Sequence, residues 1–331
     1  MAAELSQILD CASSPGSATE FSPFGNSPCL LLDTSSGNLS PSEQERVVPW
    51  LRQLPCPTLA IAAGPDNPVA RACDVLVGNA AEAAPLVENI RRNPIAASVL
   101  VQTLRLTEQL PLMAALDVES LAYATLQGGA EFRRWLESNK AEKPAVPTDA
   151  GPAVIMAREG DVLSLELNRA SNRNAINVEM RDALVEALQL ALADDSIRTV
   201  KLSGRGKCFS VGGDLTEFGT LPDPASAHAI RSVTMPGRFL AACAERVECH
   251  VHGACIGSGV ELPAFGKRVT ASKDTFFHMP ELQFGLLPGG GGCIGIPRRI
   301  GRQRTAGWVL SGRRINAQKA LEWGLVDEIV E

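Results

Sequence analysis

The stretch His252-Gly-Ala-Cys-Ile-Gly-Ser-Gly-Val-Glu261 places three glycines close together and ends on a glutamate. Glycines at this spacing let the backbone turn tightly and leave its N–H groups without partners. A helix that begins at Ser258 would direct the positive end of its dipole into the turn. An earlier stretch, Cys208-Phe-Ser-Val-Gly-Gly-Asp-Leu215, makes a second glycine turn after a strand-like run. Amides from two such turns, facing one point, would form an oxyanion hole.

Two glutamates follow turn signals in this part of the chain. Glu261 ends the first stretch, and Glu281 belongs to Met279-Pro-Glu281, which precedes Gly285-Leu-Leu-Pro-Gly-Gly-Gly-Gly292. A pair of carboxyl groups in one pocket can keep one member charged and the other protonated. General acid–base chemistry requires that difference. An ordinary surface glutamate is the alternative at each position.

The order of these motifs resembles the crotonase (enoyl-CoA hydratase/isomerase) superfamily. The resemblance covers about residues 153–331. It implies a crotonase-like ββα-superhelix, or spiral, as the core of the second half. Besides the stretches quoted above, the motifs that carry it are Leu167-Asn-Arg169, Asn174-Ala-Ile-Asn177, Leu310-Ser-Gly-Arg313 and Gly324-Leu-Val-Asp327.

The resemblance also implies roles for individual residues. Gly213 and Ser258 stand where the family places its two oxyanion-hole amides. Glu261 and Glu281 stand where enoyl-CoA hydratases carry their two carboxyl groups. Isomerases of the family typically keep a carboxylate at only one of these places, so the presence of both favours hydration.

Further positions align with the channel that holds coenzyme A in this family. Residues Asp214, Leu215 and Thr216 follow the first oxyanion amide. The guanidinium groups of Arg169 and Arg173 could contact the phosphates, although a solvated surface explains these arginines equally well. Coenzyme A would be part of the substrate, and we expect no separate cofactor.

Composition excludes several other classes of protein. The chain has 331 residues, 45% of them hydrophobic, and a net charge of −6, which argues against a nucleic-acid surface. No apolar run approaches the roughly 18 residues of a membrane span, and no signal peptide is visible. Nine cysteines without a Cys-x-x-Cys pair predict reduced thiols and a cytoplasmic protein. His250 and His252 lack a third ligand, so we expect no metal site.

The domain organisation follows changes in texture along the chain. Residues 1–28, rich in Ser, Gly and Pro, predict a flexible arm, and residues 138–152 predict a linker. Between them, residues 29–137 resemble a degenerate, shortened crotonase-like domain: a short α/β segment followed by the family's terminal helices. Residues 153–331, in which strands alternate with helices, form the predicted α/β catalytic core.

Two expectations concern helices of the first half. A helix over residues 41–54 contains Pro49, which predicts a kink or a split. Helices at residues 95–104 and 112–126 are expected to cover the catalytic core, either in the same chain or in a partner. The family tends to form trimers and dimers of trimers, so we expect a homo-oligomer.

The sequence therefore predicts an enoyl-CoA hydratase that adds water across a 2-enoyl thioester. One alternative within the class is an isomerase, and another is a lyase or hydrolase for alicyclic or aromatic acyl-CoA. A non-catalytic binding or scaffold protein is the alternative from another class.

Overall fold

Strands and helices alternate along the chain, which confirms the prediction of an α/β fold. The computed structural model describes residues 2–14, 16–25, 27–35, 37–62, 66–139, 149–221 and 223–331. Most of the predicted linker, residues 140–148, lies outside the described residues. The strands are β1 (Leu30–Asp33), β2 (Thr58–Ile61), β3 (Val75–Val77), β4 (Val154–Glu159), β5 (Val162–Leu167), β6 (Thr199–Gly204), β7 (Val247–Val251), β8 (Ala254–Ile256), β9 (Arg268–Ser272), β10 (Phe276–His278), β11 (Ile315–Asn316) and β12 (Glu328–Val330). The helices are α1 (Leu5–Ser13), α2 (Pro41–Gln53), α3 (Pro68–Ala72), α4 (Ala80–Arg92), α5 (Pro94–Thr107), α6 (Leu112–Gln127), α7 (Ala130–Ser138), α8 (Val178–Ala193), α9 (Pro224–Thr234), α10 (Pro236–Ala242), α11 (Ser258–Glu261), α12 (Gly292–Ile300), α13 (Arg302–Ser311) and α14 (Ala317–Trp323).

The second half contains two sheets that meet at the glycine turns. The larger sheet has the order β12-β9-β7-β6-β5-β4, parallel except for the antiparallel pair of β4 and β5. The smaller sheet has the order β11-β10-β8. Because β7 belongs to the larger sheet and β8 to the smaller, the chain changes sheets at Gly253, where φ is +58°. A Cβ built there would lie 2.2 Å from the carbonyl oxygen of Lys207, so this close crossing requires glycine.

The first half begins with a small parallel sheet of order β1-β2-β3. Residues 1–28 were expected to be a flexible arm, and this prediction is wrong for much of the segment. Residues 5–13 form α1, whose side chains Leu5 and Ile8 are buried with those of α2. Ala3 pairs with Leu32 of β1, which fixes the start of the segment to the sheet. Burial of one apolar face therefore outweighs the many small and polar residues around it.

Helix α2 is continuous, although Pro49 lies inside it. The helix is therefore not split at Pro49. Pro49 and Glu45 are both exposed, so water can bond the Glu45 carbonyl group that loses its partner. Val47 and Leu51 are fully buried and keep the other face of the helix on the core.

The helices of the first half pack on the second half of the same chain. One continuous hydrophobic core includes Leu100 of α5, Leu116 of α6, and Ile294 and Trp308 of the second half. Phe132 and Trp135 of α7 contact Phe218 and Phe284 of the second half. The core therefore does not divide at the predicted linker. In the described ranges, no helix has the length and apolar character needed to cross a membrane.

Candidate active site

The two glycine turns of the second half lie side by side. A parallel bridge joins Ser210 to Cys255. Gly212 has φ of +86°, and a Cβ built on it would lie 2.5 Å from the Ile256 carbonyl oxygen and 3.3 Å from the Ser258 amide nitrogen. Only glycine permits this approach. The turns that carry Gly213 and Ser258 are therefore in direct contact.

The amides of Gly213 and Ser258 have no acceptor among the described residues. Around Gly213, the Gly212 carbonyl group accepts from the Ile176 amide at 2.8 Å, and the Asp214 amide donates to the Ile176 carbonyl group at 3.2 Å. The Gly213 N–H, which lies between these two residues in sequence, takes part in neither hydrogen bond. Ser258 is the first residue of α11, where helical geometry supplies no acceptor for the amide. Both N–H groups are therefore unpaired within the part of the chain that the structure describes.

Glu261 is buried, with 2% of its surface exposed. Its Oε2 accepts hydrogen bonds from the amides of Gly290 at 2.7 Å and Gly292 at 2.9 Å. Its Oε1 lies 3.4 Å from Ser258 Oγ, which donates to it. Burial raises the pKa of Glu261, and these hydrogen bonds oppose the rise because they stabilise the anion.

Glu281 is also buried, with 7% of its surface exposed, but its surroundings differ. It begins a 3₁₀ turn, Glu281–Phe284, and its buried Oε2 has no hydrogen-bond partner among the residues that the structure describes. Its Oε1 approaches the first glycine stretch, since a Cβ built on Gly257 would lie 2.9 Å from it. Burial, followed by the charge of Glu261, raises the pKa of Glu281 well above its usual range. Burial and the neighbouring carboxylate therefore both favour the protonated form of Glu281.

The first half of the chain adds polar residues that the sequence analysis missed. Glu119 of α6 is fully buried and accepts hydrogen bonds from the amides of Gly291 and Cys293, each at 2.7 Å. Tyr123, one turn later, packs its ring on Gly289, where an added Cβ would lie 2.2 Å from a ring carbon. Burial is the main cause that raises the pKa of Tyr123, and the three glutamates of the site raise it further.

Arg231 of α9 joins this group from the other side. Its guanidinium lies 4.6 Å from the centre of the Tyr123 ring and donates to the Ser120 carbonyl oxygen at 3.1 Å. A signal for Glu119 existed in the sequence. Glu119 and Ser120 follow Ala115 and Leu116 at helical spacing, so they lie on the buried face of α6.

Three of the residues predicted to bind coenzyme A, Asp214, Leu215 and Thr216, lie in one short turn. The Asp214 carboxylate accepts from the Thr216 amide at 2.9 Å and from its hydroxyl at 2.7 Å, which closes the short turn Leu215–Glu217. The side chain of Leu215 is exposed. These three residues therefore form one ordered turn directly after Gly213.

The two arginines differ in accessibility. Arg169 is buried, and its guanidinium is bonded to the carboxylate of Glu179 and to the carbonyl oxygen of Asn168. The structure thus places Arg169 in an ion pair with Glu179, and its contact with phosphate stays a prediction. Arg173 is exposed and remains available to a ligand.

The two histidines considered for metal binding are bonded elsewhere. His250 Nδ1 lies 3.1 Å from Thr270 Oγ1, and His252 Nε2 lies 3.0 Å from the Gly206 carbonyl oxygen. In the part of the chain that the structure describes, no group of three histidine, cysteine or acidic side chains could hold a metal ion.

The sequence and the fold of this chain are similar to those of known proteins of one family. The family described as enoyl-CoA hydratase/isomerase matches residues 157–331. The chain belongs to this family of enzymes, the crotonase superfamily, which confirms the predicted family and fold class.

Individual relatives cover the second half of the chain. Over 177 residues the chain is 35% identical to 1,2-epoxyphenylacetyl-CoA isomerase of Escherichia coli strain K12, covering 52% of this chain and 68% of that protein. It is 33% identical over 176 residues to 2,3-dehydroadipyl-CoA hydratase of the same organism, covering 53% and 68%. The crystal structure of enoyl-CoA hydratase from Thermoplasma volcanium GSS1 is 32% identical with a TM-score of 0.50, covering 54% and 72%.

Proposed function

We propose that this chain is an enoyl-CoA hydratase that adds water across the double bond of a 2-enoyl thioester. The observation that carries the proposal is a pair of buried glutamates with unlike hydrogen bonding, near two amides that have no acceptor within the described part of the chain. The relative named 2,3-dehydroadipyl-CoA hydratase supports the same reaction class.

In the proposed mechanism each group has one task. The amides of Gly213 and Ser258 bind the thioester oxygen and stabilise the enolate, each contributing about 3 kcal/mol in the transition state. Glu261, whose anion is stabilised by two amides, takes a proton from water as the hydroxyl group bonds to the β-carbon. Glu281, which holds its proton firmly, gives that proton to the α-carbon. The product carries one added water.

The experiment is a screen of the purified full-length protein against a panel of enoyl-CoA thioesters. Hydration removes the absorbance of the conjugated enone, and the product mass increases by one water. Glu261→Gln and Glu281→Gln should each lower kcat at least ~100-fold. Glu186→Gln, which alters an exposed glutamate of α8, should leave kcat unchanged. Normal hydration by either of the first two variants would contradict the proposal.

The pH dependence of kcat gives a second criterion. Burial raises the pKa of both glutamates, and two amide donors oppose the rise at Glu261. We expect kcat to fall at low pH as Glu261 becomes protonated, and at high pH as Glu281 loses its proton.

Isomerisation is the second candidate, favoured by the relative named 1,2-epoxyphenylacetyl-CoA isomerase. In that case the enone absorbance changes without a gain in product mass. If no thioester is converted but acyl-CoA still binds, a binding protein becomes the better description. We further propose that the protein is cytoplasmic and forms a homotrimer or a dimer of trimers. Light scattering of the purified protein tests the oligomeric state.

A further inference from the structure

Four consecutive amides at the start of α12 alternate between two buried carboxyl groups. The amides of Gly290 and Gly292 donate to Glu261, and those of Gly291 and Cys293 donate to Glu119. We call residues 290–293 the shared turn. Amides at a helix N-terminus stabilise negative charge, so this one turn holds both glutamates.

The shared turn fits closely around Glu261. A Cβ built on Gly292 would lie 2.8 Å from Glu261 Oε2, and one built on Gly290 would lie 3.3 Å from its Oε1. The backbone therefore bonds directly to Oε2 and leaves little space for a side chain beside Oε1. A shift of the turn would move Glu261 or break its hydrogen bonds.

Glu119 reaches the shared turn from the first half of the chain. It lies on α6, and both of its oxygens are used by the Gly291 and Cys293 amides. Next to it, Leu116 packs on the same turn, 3.5 Å from a Cβ built on Gly291. The contact is thus part of the interface between the two halves.

We propose that Glu119 is a positioning residue for the acyl-CoA site: it fixes the shared turn, and the shared turn fixes Glu261. The inference rests on the proposed function. It assigns to the first half a direct part in the chemistry of the second.

Charged and titratable groups on several neighbouring elements interact with Glu119. Its pKa is raised by burial and by the charge of Glu261, while the two amides and Arg231 oppose this. The charge of Glu119 in turn contributes to the raised pKa of Glu281. The groups are Tyr123 of α6, Arg231 of α9, Glu261 of α11, Glu281 of its 3₁₀ turn and the Cys293 thiol of α12.

The test compares Glu119→Gln with Glu131→Gln in the full-length protein. Glu131 of α7 is a matched control, since it is also buried and accepts from two helix amides, Ile95 and Ala96, each at 2.8 Å. Glu119→Gln presents an NH₂ group where an acceptor is required. We expect kcat to fall about 10- to 100-fold with little change in KM, as for a misplaced catalytic group. Glu131→Gln should retain the wild-type kcat.

The pH profile separates positioning from simple loss of stability. Without the negative charge at position 119, Glu281 should lose its proton more readily. The high-pH limb of kcat should therefore move to lower pH in Glu119→Gln and stay in place in Glu131→Gln. Glu119→Asp, which keeps a carboxylate, should recover part of the activity. Equal kcat values and equal profiles in the two glutamine variants would overturn the proposal.

A second readout does not depend on turnover. Tyr123 is the single tyrosine of the chain, and Glu119, Glu261 and Glu281 all act on it electrostatically. With ¹³C-labelled tyrosine, the ring signals all come from Tyr123, and their chemical shifts should follow the titration of these glutamates. Glu119→Gln should change that titration curve, and Glu131→Gln should preserve it. If the wild type hydrates no thioester, the proposed function fails, while an unchanged curve in Glu119→Gln overturns the positioning role.

Discussion

At the scale of single residues, Glu261 and Glu281 differ in what surrounds the same carboxyl group. Two backbone amides donate to Glu261, whereas one buried oxygen of Glu281 has no partner in the described ranges of the chain. The first arrangement stabilises the anion and the second favours the protonated acid. Two chemically identical side chains can therefore act as base and acid in the same step.

The loss of the Gly213 N–H donor can be tested separately from the effect of adding a side chain at this position. Gly213→Pro removes the N–H donor and should reduce kcat about 100-fold or more, the usual effect of losing an oxyanion-hole donor. A Cβ at this position would lie 3.1 Å from the Phe218 ring, so bulk alone needs a control. Gly213→Ala supplies it, because it adds the Cβ and keeps the amide. Equal losses in both variants would show that bulk, not the donor, is responsible.

Ser258 provides the complementary change. Ser258→Gly keeps the second amide and removes only the hydroxyl, whose bond to Glu261 is long at 3.4 Å. We expect kcat within a few-fold of the wild type, measured on the thioester that the screen selects. A dead Ser258→Gly enzyme would instead assign a chemical part to the hydroxyl group.

Some residues of the site could be predicted from the sequence, and others could not. Glu261 and Glu281 follow glycine and proline turn signals, so local chemistry already singles them out. The ion pair of Arg169 with Glu179 depends on how the segment before α8 folds back. The role proposed for Glu119 depends on its hydrogen bonds with the amides of Gly291 and Cys293, which lie 172 and 174 positions later in the chain. Such contacts exist only in the tertiary structure.

At the scale of elements, α6 carries the link between the halves. Predicted for residues 112–126, it is observed as Leu112–Gln127, and its buried residues recur at helical spacing. In contrast, α1 was missed, since its short apolar face lies among Ser, Gly and Pro residues. Periodicity reveals a helix, but it does not reveal which surface the helix covers.

The joint between α6 and α9 rests on Arg231. Its guanidinium donates to the Ser120 carbonyl group, to Ser120 Oγ at 3.2 Å and to Gln127 Oε1 at 3.1 Å. Arg231→Met keeps the approximate length of the side chain but removes all three of these hydrogen bonds. We expect the free energy of unfolding in urea to fall by about 2 kcal/mol. Arg133→Met, at an exposed arginine of α7, is the control. A difference between the two below about 0.5 kcal/mol would contradict this role.

At the scale of the whole molecule, one buried carboxylate ties three regions together. Asp74, just before β3, accepts from the Thr58 amide at 2.8 Å, from Arg105 Nε at 2.8 Å and from Arg302 Nη1 at 3.0 Å. Arg105 belongs to α5, and Arg302 begins α13 of the second half. Removing one partner would leave buried charge unpaired, which is strongly destabilising. The two halves are therefore joined by polar as well as apolar contacts.

The dependence of the second half on the first leads to a test by dissection. Residues 149–331 alone would expose Phe218, Phe284 and the apolar face of α12 that α5 and α6 cover. Soluble proteins seldom tolerate a large apolar patch, and the shared turn would also lose Glu119. We expect this piece to be insoluble or inactive, and co-expression with residues 1–139 to restore part of the hydration activity. Leu116→Asp in the first piece is the control, because it places a charge in the buried interface and should prevent restoration. A soluble piece 149–331 with full activity would show that the first half is an independent appendage.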